Sequence, residues 1–211
     1  MSPIRNIARL TAVAALAMGL SACISVFPKT KPAGLYRFGE AQVSAPKGPP
    51  GAMFSVLKTP STFTRAAAGD RILTSSQGQV AYIADARWVS SASVLFEEAV
   101  ARAFENDPGR ARLIGRGEVA KADLALRLEV RTFETDYVNG PKAAPEVVVS
   151  VRGVLNRNTD RTLVGDKVFE ARVKAADNRV SAIVPAYDKA VAQVLGEIVG
   201  WVNAASPAVA G

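Results

Sequence analysis

The chain of 211 residues contains no histidine and a single cysteine, and aromatic residues make up 7% of it. Without histidine there is no imidazole for a Ser-His-Asp triad, for activating a thiol, or for completing the usual zinc ligand sets. One cysteine cannot form an internal disulfide, so stability must come from an ordinary hydrophobic core. No apolar run reaches the roughly 20 residues that a membrane-crossing helix requires. Carboxylates do not converge either. Glu97 and Glu98 are neighbours that point apart on a helix, and Asp85, Asp136 and Asp166 are isolated. Ser90, Ser91 and Ser93 read as helix-capping residues. Gly115-Arg116-Gly117 lacks the strand and helix that frame a nucleotide-binding loop. These absences predict no catalytic residues, no metal site and no enzyme activity. Basic residues are spread along the chain; the densest group, Arg110, Arg112, Arg116 and Lys121, has no interleaved aromatics. It reads as a solvated face, with a lipid or partner contact as the alternative, and nucleic-acid binding is not expected.

What the sequence does have is a distinctive setting for its cysteine. Arg5 and Arg9 form a positive start, residues 10–20 are apolar or small, and Leu20-Ser21-Ala22-Cys23 follows. This order fits a secretory leader, and the last four residues resemble the lipobox of bacterial lipoproteins. The resemblance implies cleavage between Ala22 and Cys23. It also implies a diacylglycerol and an N-acyl chain on Cys23, with palmitate incorporation, and no other cofactor. One acyl chain binds a bilayer only marginally, at about 0.8 kcal/mol per buried CH₂, so two or three are needed for a stable anchor. Loss of the leader removes two cations and no anion, leaving 189 residues with a net charge of +5. That length suits one domain with a core of its own.

Residues 1–22 are thus expected to be a lipoprotein signal peptide and 23–51 a lipidated, Pro/Gly-rich tether. Residues 52–202 are expected to form the domain, and 203–211 a flexible tail. The tether reading rests on Pro28, Pro32, Pro49 and Pro50 with Gly34, Gly39, Gly48 and Gly51, and allows one short strand at residues 35–38. Short strands are expected at 53–58, 71–73, 79–84 and 112–114. Ala92, Phe96, Ala99, Val100, Ala103 and Phe104 recur at helical spacing, predicting a helix over 91–106, capped by Ser90 or Ser91 and ended by Asp107-Pro108-Gly109. Leu124, Leu126, Leu128 and Val130 alternate with Ala125, Arg127, Glu129 and Arg131, the clearest strand signal of the chain. Val147, Val149 and Val151, then residues 163–173, continue as an antiparallel meander. Val180, Tyr187, Val194 and Trp201 fall seven apart with Val184, Val191 and Ile198 beside them, predicting a C-terminal helix. Asp177 or Asn178 would cap it, and Pro185 would lie at its start or kink it.

The fold expected is α/β: a single domain with a mixed or largely antiparallel sheet of about five strands and two long helices packed on it. The order of its motifs adds a resemblance. After the lipobox and the Pro-rich spacer come Tyr36-Arg37-Phe38, Lys58-Thr59-Pro60 and Arg71-Ile72. Tyr82, Arg87 and Trp88 then lead into the helix at Leu95-Phe96-Glu97-Glu98. This is similar to the ABC-type transport auxiliary lipoproteins, the PqiC-like family associated with MCE-domain lipid transport systems. The resemblance implies a fold like the TolB N-terminal domain and a non-catalytic role on the periplasmic face of the outer membrane. Ile24 after Cys23 resembles the outer-membrane sorting pattern. The implied partners are an MCE-domain periplasmic protein and its ABC permease and ATPase; a ring-like homo-oligomer is compatible with it. Tyr82, Arg87 and Trp88 are the candidate partner or packing residues, with Trp88 better explained by packing. Two other readings stay open: a periplasmic lipid-binding shuttle or chaperone, and a lipoprotein enzyme for which no residues present themselves.

Overall fold

A computed structural model describes residues 32–205 apart from Lys47, Pro49 and Arg116; Ala22, Cys23, the leader and residues 206–211 lie outside the described residues. The folded unit begins at Ala33. Its strands are β1 (Gly34–Tyr36), β2 (Phe54–Lys58), β3 (Thr62–Phe63), β4 (Arg71–Ser76), β5 (Gln79–Trp88), β6 (Ala111–Leu113), β7 (Leu124–Asp136), β8 (Glu146–Arg157) and β9 (Leu163–Lys174). Helix α1 (Ala92–Glu105) follows β5, and α2 (Val180–Ala204) ends the described chain.

β7 organises one mixed sheet. β8 pairs antiparallel along one side of it, and β9 pairs with β8, which gives the expected meander. Three short strands lie in sequence along its other side, all parallel to it: β2 beside Leu124 to Leu126, β3 beside Glu129 and Val130, and β4 beside Thr135 and Asp136. β5 pairs antiparallel with β4, β1 parallel with β5, and β6 parallel with β2. Nine strands are thus described where about five were expected. Only β3 has no counterpart among the strands expected along the chain; at two residues it is too short for alternation to show, and it forms because β7 offers it a partner. Gln77 (φ 49°) and Gly78 (φ 80°) make the β4–β5 turn, whose left-handed backbone suits a tight hairpin.

The helices pack on the face bearing Leu124, Leu126, Leu128 and Val130, all buried. At Arg131 the pairing of β7 with β8 slips by one residue. Such a bulge reverses the alternation, so Phe133 and Thr135, rather than even-numbered residues, turn into the core. Phe38, Trp88, Phe133 and Tyr187 meet there. Phe38 lies 5.0 Å from Trp88 and from Phe133, and Tyr187 lies 5.1 Å from Trp88 and 5.0 Å from Phe133, centroid to centroid. The Tyr187 hydroxyl keeps partners in the core, accepting from Thr135 Oγ1 (3.2 Å) and donating to Leu73 O (3.5 Å). Its burial pushes the phenol pKa well above the ordinary tyrosine value.

α2 takes in the whole stripe expected of it, with Pro185 inside at its sixth position, so that the N–H that would reach Ser181 O is missing. Arg179, not Asp177 or Asn178, precedes its first turn. Asn178 is engaged elsewhere: it accepts from Tyr137 Oη (2.9 Å) and donates to Pro141 O (2.8 Å). Ser91 precedes α1 without a side-chain cap. The first helical N–H groups instead reach Gly69 O and Ala68 O.

The tether is shorter than its composition suggests. Phe38 is fully buried, and Val43 and Ala45 pack against the core, so the folded part starts near Gly34 rather than Ala52. The expected tail also starts later, since Asn203 and Ala204 belong to α2.

Candidate functional site

Trp88 is 2% exposed and is a core residue. Tyr82 and Arg87 stand on the same strand and act on the same segment. Tyr82 Oη donates to Ala66 O (3.0 Å), Arg87 pairs with Asp70 (2.9 Å), and the Trp88 N–H donates to Asp70 O (2.7 Å). Arg71, opposite Arg87 in the register, stacks its guanidinium 3.9 Å from the Tyr82 ring centre. All three residues of the motif therefore hold the 64–70 connection, whose carbonyls cap α1. The structure brings them together as a packing device.

A second arrangement went unread in the sequence. From Gly39 to Pro46 the chain runs as a strap over α1 and α2. The N–H groups of Gly39, Glu40 and Ala41 all donate to Asp188 Oδ1, at 2.7, 2.8 and 3.2 Å, and Arg102 donates to Gly39 O (3.0 Å). Gly39 has φ +85°, and a Cβ there would stand 2.7 Å from Ala99 Cβ. Further along α2, a Cβ on Gly196 would run into the Ser44 carbonyl oxygen, and one on Gly200 would lie 2.6 Å from Pro46 Cδ. Gly196 and Gly200, one turn apart, thus form a flat track for the strap. Their four-residue spacing was the available signal.

Beyond the strap, Asn203 is buried and holds the loop after α1. Its Oδ1 accepts from the Ala111 N–H (2.8 Å), and its Nδ2 donates to Asp107 Oδ2 (2.7 Å). An open groove of about 500 Å³ lies between α1 and β6, lined by Val94, Phe104, Leu113 and Ile114 among charged residues. At its edge Lys58 Nζ donates to Glu97 Oε2 (2.6 Å), and the Ser61 N–H donates to Glu97 Oε1 (2.8 Å). Partial burial pushes the Glu97 carboxyl up, but the Lys58 and Ser61 hydrogen bonds outweigh it and leave the group below its ordinary value.

Within the expected basic face Arg112 is ion-paired. Arg112 grips Glu118 through two bonds, of 2.7 and 3.0 Å, and these with the Gly115 N–H hold Glu118 down to about 2. Arg110 donates to Ala52 O (3.0 Å) and covers the Phe54 ring; Arg116 lies outside the described residues. The sheet face without helices carries a ladder in which Arg131 and Arg152 reach Glu129, Arg152 reaches Asp166, and Arg172 reaches Glu170. Asp166 is lowered chiefly by its bond to Arg152.

Among the described residues no three of His, Cys, Asp and Glu gather in a way that could hold a metal ion. No described helix is long and apolar enough to cross a membrane. The groove between α1 and β6 is open, and part of the surface charge is taken up in ion pairs. The described part is a mixed α/β domain with open grooves at its surface. The family described as ABC-type transport auxiliary lipoprotein component matches residues 36–199, and the chain belongs to it.

Solved structures agree on the fold. Protein XCC0632 from Xanthomonas campestris, a DUF330 protein, superposes with a TM-score of 0.71 at 23% identity, covering 81% of this chain and 95% of that one. A crystal structure of an uncharacterized protein gives 0.59 at 16% identity, covering 77% and 99%. The likeness in fold is to these proteins and not to TolB specifically. The comparison with curated proteins gives no match.

Proposed function

We propose that this chain is a non-catalytic lipoprotein anchored at the periplasmic face of the outer membrane. In this reading it is a docking or structural subunit of an MCE-type ABC transport system that moves phospholipid or another hydrophobic molecule across the periplasm. The observation that carries the reading is the family match over residues 36–199. The rings of Phe38, Trp88, Phe133 and Tyr187, which occupy the middle of the core, support docking over carriage. Cys23 carries the diacylglycerol and N-acyl chains, and the permease and ATPase are separate subunits.

The test is a pull-down from detergent-solubilised envelope. It should recover an MCE-domain protein, and recovery of none would count against the role. Cys23→Ser should abolish palmitate labelling and release the mature chain from outer-membrane fractions. Labelling that survives the change contradicts the anchor. The groove between α1 and β6, with Val94, Phe104, Leu113 and Ile114, favours a second reading as a lipid-binding shuttle or chaperone. Native mass spectrometry of the protein without its acyl anchor separates the two: bound lipid supports the shuttle, and a clean apo mass supports the docking subunit.

A further inference from the structure

The direction in which β1 lies bears on how the domain meets its membrane. β1 is parallel to β5, with Gly34 opposite Ala86 and Tyr36 opposite Trp88. Upstream of Gly34 the strand direction therefore leads back along β5 toward the β4–β5 turn at Gln77 and Gly78. Beside that turn is the β7–β8 turn, tied to it by the Tyr137 N–H donating to Ser75 O (2.8 Å). Each turn ends in an exposed apolar side chain, Val80 at 67% and Val138 at 60%. Both stand clear of the core, as do Leu35 on β1 and, at the opposite end of β7, Met53, Val119 and Leu163.

Chain length narrows the geometry. Gly34 follows Cys23 by eleven residues. A segment of that length cannot exceed roughly 40 Å even when fully extended. β7 alone, running from the loop that holds Val119 to the turn that holds Val138, spans about 40 Å. With the folded part beginning near Gly34, the tether is of the order of the strand length and not several times longer. With an anchor at Cys23, the end nearer to the incoming chain needs the shorter reach to the bilayer.

We propose that the end of the sheet formed by the β4–β5 and β7–β8 turns rests on the lipid surface that holds the anchor, with Val80 and Val138 entering the headgroup region. This rests on the acylation of Cys23 proposed above. Lys142 is an exposed cation in the β7–β8 turn, which Asp136 and Glu146 flank, so the contact proposed is made by the apolar tips. Two short apolar tips give weak contact by themselves. Their effect is to orient a domain that the acyl chains already retain.

The chain's single cysteine makes the test direct. In the acylated protein its sulfur is blocked, so Val80→Cys, Val138→Cys and Val119→Cys each supply one free thiol for an environment-sensitive fluorophore. Val119 is fully exposed in the loop before β7, at the far end of that strand. The acylated chain is placed in vesicles of phosphatidylethanolamine and phosphatidylglycerol and floated on a gradient. The expected result is blue-shifted emission at positions 80 and 138, with quenching by spin-labelled lipid at least threefold stronger than at 119. Flotation with equal quenching at all three positions overturns this proposal alone and frees that end for a protein partner. Failure to float, or labelling of the unmutated chain at Cys23, overturns the anchoring and this proposal with it.

Discussion

Gly39 and Asp188 are separated by 149 positions and joined by a 2.7 Å hydrogen bond from backbone N–H to carboxylate. Because Glu40 and Ala41 donate to the same oxygen, one side chain of α2 fixes the start of the strap. Removing the acceptor leaves three N–H groups to find water. Asp188→Ala should cost about 1–3 kcal/mol, and hydrogen exchange at residues 39–41 should rise before the rest of the sheet. Asp188→Asn keeps an oxygen and should lose less. Equal exchange in both variants and the parent would contradict this role.

The glycine track gives an independent handle on the same element. Gly196→Ala and Gly200→Ala introduce methyl groups where Ser44 and Pro46 now lie. Alanine favours the helix over glycine by about 1 kcal/mol, so α2 itself should be strengthened. The strap should nevertheless detach, with faster exchange or proteolysis at residues 42–46. A uniformly stabilised protein with an unchanged strap would show that the close approach is unimportant.

Acid should act through Glu97. Its folded carboxyl lies below the ordinary value of 4.5, so the ionised form is the one favoured in the fold. The stability it contributes is present above that ordinary value and is lost as the pH falls through the lower folded value. Glu97→Gln should lower stability at neutral pH and flatten the acid limb of a urea-denaturation series. Lys58→Met should do the same from the other partner. Its side chain is 9% exposed in the ion pair, so about 1–3 kcal/mol is expected. An acid limb as steep as the parent's would exclude Glu97 from it.

Trp201 depends on two glycines in neighbouring strands. A Cβ on Gly165 would lie 2.8 Å from its Cζ2, and one on Gly153 would lie 3.0 Å from its Cζ3. Gly165→Ala should therefore destabilise by about 1–3 kcal/mol through overpacking. In a Trp201→Leu background the same change should cost less, and a double-mutant cycle reads the coupling. Additive costs would mean that the indole is not the obstacle.

Local patterning is what the sequence conveyed well. α1 is bounded within a residue of expectation because its apolar spacing is regular and Asp107-Pro108 cannot continue it. The meander was legible because β7, β8 and β9 are long and alternate. Trp88 proved a packing residue, as its place before a helix suggested. Other features depend on contacts distant in the chain. The reversal at Arg131 leaves no trace in an alternation read only as far as Val130. β3 has two residues and exists because β7 offers an edge. The strap reads as tether because proline and glycine mark flexible chain and tight packing alike. Gly39, Gly196 and Gly200 serve the second purpose, and only Asp188 and the helix surface reveal it.

The parallel pairing of β1 with β5 also has a mechanical consequence. Tension on the chain ahead of Gly34, directed along the strand toward the β4–β5 turn, loads the β1–β5 hydrogen bonds together in shear rather than one at a time. Behind them the buried Phe38 acts as a stop, and the Asp188 clamp takes up what passes it. Load entering ahead of Gly34 would thus meet the β1–β5 pairing, the buried ring and the carboxylate clamp in turn.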